Sequence, residues 1–349
     1  MISSKTTSPA TTSSQSSADS LGNGIASAHP SRLPSIRGYF YIAAATFCWG
    51  ISATMGRAVF TGRLLSAAQT LHPIDPVILA QTRTTISLLV LAPVLMARRR
   101  GRAGLRLPWS DFGHCLLLGV LGVAASNYFY YLAIQKTNVA TAIILQYTAP
   151  VWVLLYMVAQ RLQRATAQRV ASVGLALIGV ALAVGVIGTG GIRLDTVGIA
   201  AALLAAVSFA FYNIGAHRLL EKYDHWKVLL YALLGATICW AVINPPWRLA
   251  AVNYSKEQWL YLVVFAMTSV LVPFSFYFAG LQYLDATRGI VTSCLEPVFS
   301  IIIAAIVLGE RVRSLQTVGI MLVLLATVLV QLSRDNVQPS PSHPNVGGP

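Results

Sequence analysis

Residues 129–151 read FYYLAIQKTNVATAIILQYTAPV, and residues 276–298 read FYFAGLQYLDATRGIVTSCLEPV. A shift of 147 positions lays the first stretch over the second. Identities then fall at Phe129/Phe276, Tyr130/Tyr277, Gln135/Gln282, Ile143/Ile290, Pro150/Pro297 and Val151/Val298, and Asn138 faces Asp285. Six identities in 23 positions of apolar sequence mean little by themselves. They gain weight because both prolines sit within long apolar runs and the polar connection before each run falls at the same place. The chain reads as two related halves.

Outward from this pair, the composition sets the class. Of 349 residues, 56% are hydrophobic and only 10% charged, against about 25% charged in an ordinary soluble domain. The apolar residues come in long blocks, and a helix that crosses a bilayer needs roughly 20 of them. Ten such blocks are legible, at about 38–60, 76–97, 112–134, 139–159, 170–189, 197–217, 226–244, 259–281, 286–308 and 315–333. The expected fold is therefore an all-α membrane protein of about ten transmembrane helices, arranged as two five-helix repeats. Five is odd, so the second repeat enters the membrane from the opposite side, an inverted arrangement common in secondary transporters. The expected organisation is a disordered tail over 1–36, repeats over 37–190 and 191–333, and a second tail over 334–349, the tails being rich in Ser, Thr, Pro and Gly.

The net charge of +14 does not mark a nucleic-acid surface, because the basic residues lie between apolar blocks rather than in a patch. With the N-terminus inside, 16 Lys and Arg fall in cytoplasmic segments and 7 in external ones. That bias predicts both termini in the cytoplasm, although Arg311 and Arg313 argue the other way. The setting implied is a plasma (bacterial inner) membrane. Cys48, Cys115, Cys239 and Cys294 fall inside apolar blocks without ligand spacing and read as small buried hydrophobes.

The paired motifs Gln135-Lys136-Thr137-Asn138-Val139-Ala140…Pro150-Val151 and Gln282-Tyr283-Leu284-Asp285-Ala286-Thr287…Glu296-Pro297-Val298, with Leu308-Gly309-Glu310-Arg311…Gly319, resemble the drug/metabolite transporter superfamily. More narrowly, they resemble its EamA-type branch, which has ten helices and one such signature per half. The resemblance covers about residues 38–333. It implies movement of metabolites, amino acids or toxic compounds, with export in many relatives. The first half departs from the second: Ala149 stands before Pro150 where Glu296 stands before Pro297, and Gln replaces Glu near Arg161–Arg164. Any role for those acids therefore belongs to the second half alone.

Three formal charges are counted within the spans: Arg57, Arg83 and Glu296. A charge at bilayer depth is costly, so it faces protein or water and is a functional candidate. Glu296 lies about halfway along span nine, and Pro297 after it frees a backbone carbonyl one turn earlier. A carboxyl group there can carry a proton, or it can be a packing acid that bonds a neighbouring helix. Arg57 and Arg83 either snorkel to the interface or face a cavity, where they bind a substrate carboxylate or neutralise Glu296. Further candidates are Trp49, Asn127, Tyr128, Tyr131, Gln146, Tyr147, Tyr212, Asn213, Ser275, Tyr277, Thr292 and Ser293, which line a path or bond across helices. Pro150 and Pro297 are expected kinks. Span five carries small residues at Ser172/Ala176 and Gly179/Ala183, a spacing that lets helices approach closely.

The motifs of ATP-binding loops, zinc proteases and serine hydrolases are absent from the sequence. No catalytic residues, metal or cofactor are expected. The leading reading is a secondary transporter exporting small metabolites, such as amino acids or related amphipathic compounds, by alternating access, driven by the substrate gradient or by proton antiport through Glu296. A translocase for a lipid-linked carrier on the same fold, and a non-transporting membrane partner, stay open beside it. The expected partners are a small-molecule substrate and membrane lipid, with a homodimer as an option and nucleic acid excluded.

Overall fold

A computed structural model of the chain describes residues 36–60, 76–98, 105–137, 139–184, 195–251, 254–309 and 312–333. Of the expected tails, residues 1–35 and 334–349 lie outside the described residues, as do the side chain of Arg57 and the residues Asn138, Glu310 and Arg311, while Ile36 already opens the first helix. In chain order the helices are α1 (Ile36–Phe60), α2 (Pro76–Arg98), α3 (Trp109–Lys136), α4 in two pieces (Val139–Gln146 and Ala149–Ala159), and α5 (Ala167–Val184). Then come α6 (Thr196–Leu220), α7 (His225–Ile243), α8 (Lys256–Leu281), α9 in two pieces (Ala286–Ser293 and Leu295–Leu308), and α10 (Ser314–Leu332). A short helix, Pro246–Ala251, bridges α7 and α8. Nine of the ten long helices meet the length and apolarity needed to cross a membrane among the residues described, and α1, at 25 residues, has the length to do so.

Their ends follow from local chemistry. Asp195 caps α6 by accepting from the Gly198 amide at 2.8 Å, and Asp285 caps α9 by accepting from the Arg288 amide at 2.8 Å. Ser255 and Gln258 form a reciprocal capping box at the start of α8. Gly309 stops α9 in the left-handed conformation at φ +66°, which a residue without Cβ adopts at no steric cost.

The two halves interlock by exchange. Helix α3, third in the first half, packs on α6 and α7, the first and second helices of the other half. Helix α8, third in the second half, packs on α1 and α2. Likewise α4 lies on α6 and α9 on α1, while α2 meets α7 and α5 meets α10. Each of these contacts has its counterpart under the repeat, and that correspondence gives the 147-residue shift its structural meaning.

Between membrane helices there is little hydrophobic gain, so contact depends on small residues and shape. The α5–α10 crossing illustrates this. A Cβ on Gly319 would lie 2.4 Å from the Ala183 nitrogen and 2.6 Å from the Gly179 carbonyl, and one on Gly179 would lie 2.9 Å from the Gly319 carbonyl. The small-residue spacing of span five thus serves close approach to its repeat partner. Similarly, a Cβ on Gly119 of α3 would lie 2.0 Å from the Ala232 carbonyl of α7.

Polar clamps hold the two ends of the bundle. At one end Gln81 of α2 and Asn244 after α7 exchange amide hydrogen bonds of 2.7 and 2.6 Å. At the other, the Tyr231 hydroxyl donates to the Leu105 carbonyl at 2.7 Å and that of Tyr223 to Asp111 at 2.5 Å.

Gly319→Leu is expected to cost about 2–3 kcal/mol of stability through overpacking of this backbone contact. Gly174→Leu, on the same α5 but with nothing within 4 Å of its Cβ position, is expected to be neutral or slightly stabilising. Melting of the two purified variants in detergent checks the pair. Equal melting temperatures would mean that the crossing does not hold the halves together.

Candidate functional site

Both α4 and α9 are broken at equivalent places. Proline carries no N–H, so Pro150 leaves the Gln146 carbonyl, and Pro297 the Ser293 carbonyl, without a helical donor. In α4 the chain tightens, with the Thr148 amide on the Leu145 carbonyl at 3.1 Å and the Val151 amide on Thr148 at 2.9 Å. In α9 the Cys294 amide bonds the Val291 carbonyl at 3.1 Å. The breaks centre on Tyr147 and Cys294, one repeat apart.

The third helix of each half is also irregular. A π-helical turn occupies Leu118–Ala124 in α3 and Met267–Leu271 in α8, positions that overlap under the same shift. Such turns are rare and frequent at functional sites. The carbonyls they displace are taken by side chains. Asn127 donates to the Val123 carbonyl at 2.7 Å, the Trp49 indole of α1 donates to the Ser269 carbonyl at 3.1 Å, and the Ser275 hydroxyl donates to that of Leu271.

Into this frame the sequence places its charges. The Tyr147 hydroxyl, at the break of α4, donates to Glu296 Oε2 at 2.8 Å, just beyond the break of α9. The bond joins the two halves. The Arg83 guanidinium of α2 donates to Asn127 Oδ1 through a short contact, and its Cζ lies 6.0 Å from the Tyr131 ring centre. Among the described residues Arg83 and Glu296 form no direct ion pair, each being bonded instead to a neutral side chain. The Arg83 Nε is buried without a hydrogen-bond partner. Gln146 completes this region by donating to Ser126 at 3.4 Å. Arg83, Asn127, Tyr131, Gln146, Tyr147 and Glu296 are all partly exposed.

A second, fully buried group lies nearer the other end. The Tyr277 hydroxyl donates to Asn213 Oδ1 in a short contact, and Asn213 Nδ2 donates to the Phe209 carbonyl at 2.8 Å. The Trp49 ring sits 5.4 Å from that of Tyr277, while Tyr212 stacks on Tyr277 at 6.4 Å with its own hydroxyl buried and unpartnered. Tyr277 and Asn213 are both 0% exposed.

Other expected site residues stand apart. Tyr128 is 42% exposed and sets its ring edge-on to Phe129 at 5.5 Å, outside the hydrogen bonds just described. The hydroxyls of Thr292 and Ser293 bond the Arg288 and Ile290 carbonyls of their own helix, each at 2.7 Å. Ser275 likewise bonds within α8. Thr292 and Ser275 are committed to backbone, whereas the Ser293 hydroxyl also lies within hydrogen-bond reach of that of Tyr277.

One cluster was not anticipated. Arg288, counted in the sequence as a loop cation, is 3% exposed in the first turn of α9. It pairs with Asp285 at 3.1 Å, caps the end of α10 through the Ser333 carbonyl, and shares Asp285 with Arg169 of α5 at 3.9 Å. Thr287 and Gln163 bond beside it at 2.8 Å. Counting Lys and Arg near span ends treats every cation as solvated. The signal that could have found this one is the Asp-x-x-Arg spacing, which puts both side chains on one turn.

The sequence profile of the EamA-like transporter family matches residues 36–185 and again 196–332, covering both halves. Among curated relatives, an uncharacterized inner membrane transporter of Salmonella typhimurium, YicL, is 22% identical over 219 residues, spanning 62% of this chain and 72% of that protein. An uncharacterized transporter of Archaeoglobus fulgidus is 25% identical over 271 residues, 75% of this chain and 89% of that one. A solved crystal structure shares the fold at a TM-score of 0.67 and 20% identity, covering 84% of this chain and 96% of its own. Two matched five-helix segments, interlocked by exchange around paired helix breaks, make this chain a member of the EamA-like transporter family.

Proposed function

We propose that this transporter moves small amphipathic metabolites, such as amino acids, outward across a plasma membrane by alternating access, with Glu296 as the proton-coupling carboxyl. The observation that carries the reading is the Tyr147–Glu296 hydrogen bond. It bridges the discontinuities of α4 and α9, the places where a proline breaks a helix in each half. A carboxyl group at such a joint can report its protonation to both halves, because gaining or losing charge alters the bond that ties them.

The distribution of exposure supports a state open toward one end. Arg83, Asn127, Gln146 and Glu296 are partly exposed, whereas Tyr277, Asn213, Thr292, Arg288 and Arg169 are buried. The buried set lies toward the end that carries the α4–α5 and α8–α9 connections. The charge bias of the sequence assigns that end to the cytoplasm. The Arg169–Asp285–Arg288 cluster ties the starts of α5 and α9 to the end of α10, and so serves as the cytoplasmic closure. Interfaces of this kind are two-state elements rather than continuously deformable ones.

Two outcomes are expected. Glu296→Gln keeps the shape of the side chain and removes its titration, so substrate exchange should persist in proteoliposomes while the response to an imposed pH gradient disappears. Retention of the full gradient response would make Glu296 a packing residue. Asp285→Asn should release the cytoplasmic closure and raise the rate at which N-ethylmaleimide labels Cys294, which is 1% exposed, by about tenfold, the effect of roughly 1.4 kcal/mol on an opening equilibrium. The measurement uses protein in which Cys48, Cys115 and Cys239 are Ser. An unchanged labelling rate would move the closure elsewhere.

A further inference from the structure

At the end of the bundle that carries the α4–α5 connection, α4 and α6 pack side by side, and each finishes at an exposed arginine. Arg218, in the last turn of α6, donates through Nη2 to the Tyr156 hydroxyl of α4 at 2.6 Å, and its Cζ lies 5.4 Å from the centre of that ring. The contact holds the guanidinium in place but leaves its charge unmet, because a phenol is neutral. Glu221, in the next turn of α6, lies 3.8 Å from His217 instead. Arg161 follows Tyr156 by five residues and ends α4 with φ +56°. A residue with a Cβ is disfavoured in that left-handed conformation, and α9 makes its own stop with Gly309. The first half thus keeps a cation at the foot of α4 where glycine would close the turn with less strain. Among the described residues neither Arg161 nor Arg218 meets a carboxylate.

Alongside these cations the two helices turn apolar side chains outward. Val207 and Phe211 are exposed on the face of α6 that ends at Arg218, spaced by four and then seven residues. Trp152 and Leu155 are exposed on α4 just ahead of Tyr156. We propose that this α4–α6 face binds an anionic glycerophospholipid, with its phosphate on Arg161 and Arg218 and its acyl chains along Val207, Phe211, Trp152 and Leu155. Both parts of the lipid are matched. Guanidiniums pair with phosphate oxygens through parallel donors, and basic pockets between membrane helices take anionic headgroups. A soluble phosphate meets only the cations, and a zwitterionic lipid brings its own ammonium to the same place, so each binds less well. The site is independent of the solute carried and of the role of Glu296.

The test follows the melting of the purified full chain in detergent as phosphatidylglycerol, phosphatidylcholine of the same acyl chains, or inorganic phosphate is added. The half-saturating concentration should be about tenfold lower for phosphatidylglycerol than for phosphatidylcholine, and inorganic phosphate should not stabilise at matching concentrations. Arg218→Gln and Arg161→Gly should each bring the lipid ratio down toward one. Arg161→Gly should also raise the melting temperature of the lipid-free protein, since glycine relieves the left-handed turn. A preference lost in that variant therefore does not come from damage to the fold. Equal stabilisation by the two lipids in the wild-type protein overturns the inference. A preference that survives in both variants overturns it as well, by putting the anionic lipid elsewhere on the surface. Stabilisation by inorganic phosphate equal to that by phosphatidylglycerol overturns it in favour of a soluble anion.

Discussion

A carbonyl released from its helical ladder inside a bilayer has no water to turn to, and it must find a donor within the protein. The interior of this transporter is arranged by that requirement. Prolines and π-helical turns interrupt four helices, two in each half, and the freed backbone draws particular side chains to the interruptions. Asn127 is where it is because the Val123 carbonyl needs it, and Trp49 turns its indole across the repeat boundary to the Ser269 carbonyl. In holding Asn127, the backbone also orients the group that holds Arg83. The polar chemistry of the centre is thus secured by the irregular geometry around it.

The scaffold is close to symmetric and the chemistry is not. Contacts between α3 and α6–α7 mirror those between α8 and α1–α2, and the helix breaks and π-helical turns fall one repeat apart. Yet the second half carries Glu296 where the first has Ala149, and Tyr147 faces its counterpart position at Cys294. In secondary transporters generally, related halves of this kind are what alternating access works with. The buried Arg169–Asp285–Arg288 cluster is likewise confined to one end, so the two ends differ in what ties their helices together.

Much of the fold was legible in the sequence, and the reasons are physical. A membrane helix needs a long apolar run, and that length signal survives the divergence of the repeats. The paired prolines persisted because the breaks they cause are part of the architecture. Span edges were less legible: α3 begins at Trp109, ahead of Asp111, because Tyr223 satisfies that acid. The π-helical turns were invisible, since a displaced hydrogen-bond ladder has no residue signature. Among the site residues, Glu296, Arg83, Asn127, Tyr131, Gln146 and Tyr147 share one region. Tyr128 does not, because one step along a helix turns a side chain by more than a quarter of the circumference. Thr292 and Ser293 satisfy backbone locally, which composition could not distinguish from lining a path.

On the proposed reading, Glu296 would act through the joint it makes with Tyr147. The carboxylate accepts that hydrogen bond, and a proton on it would remove the charge that makes it a strong acceptor. Protonation would therefore loosen the tie between the breaks of α4 and α9, and its reversal would restore it. The first half has Ala149 at the matching position, so each cycle would carry one such change and not two.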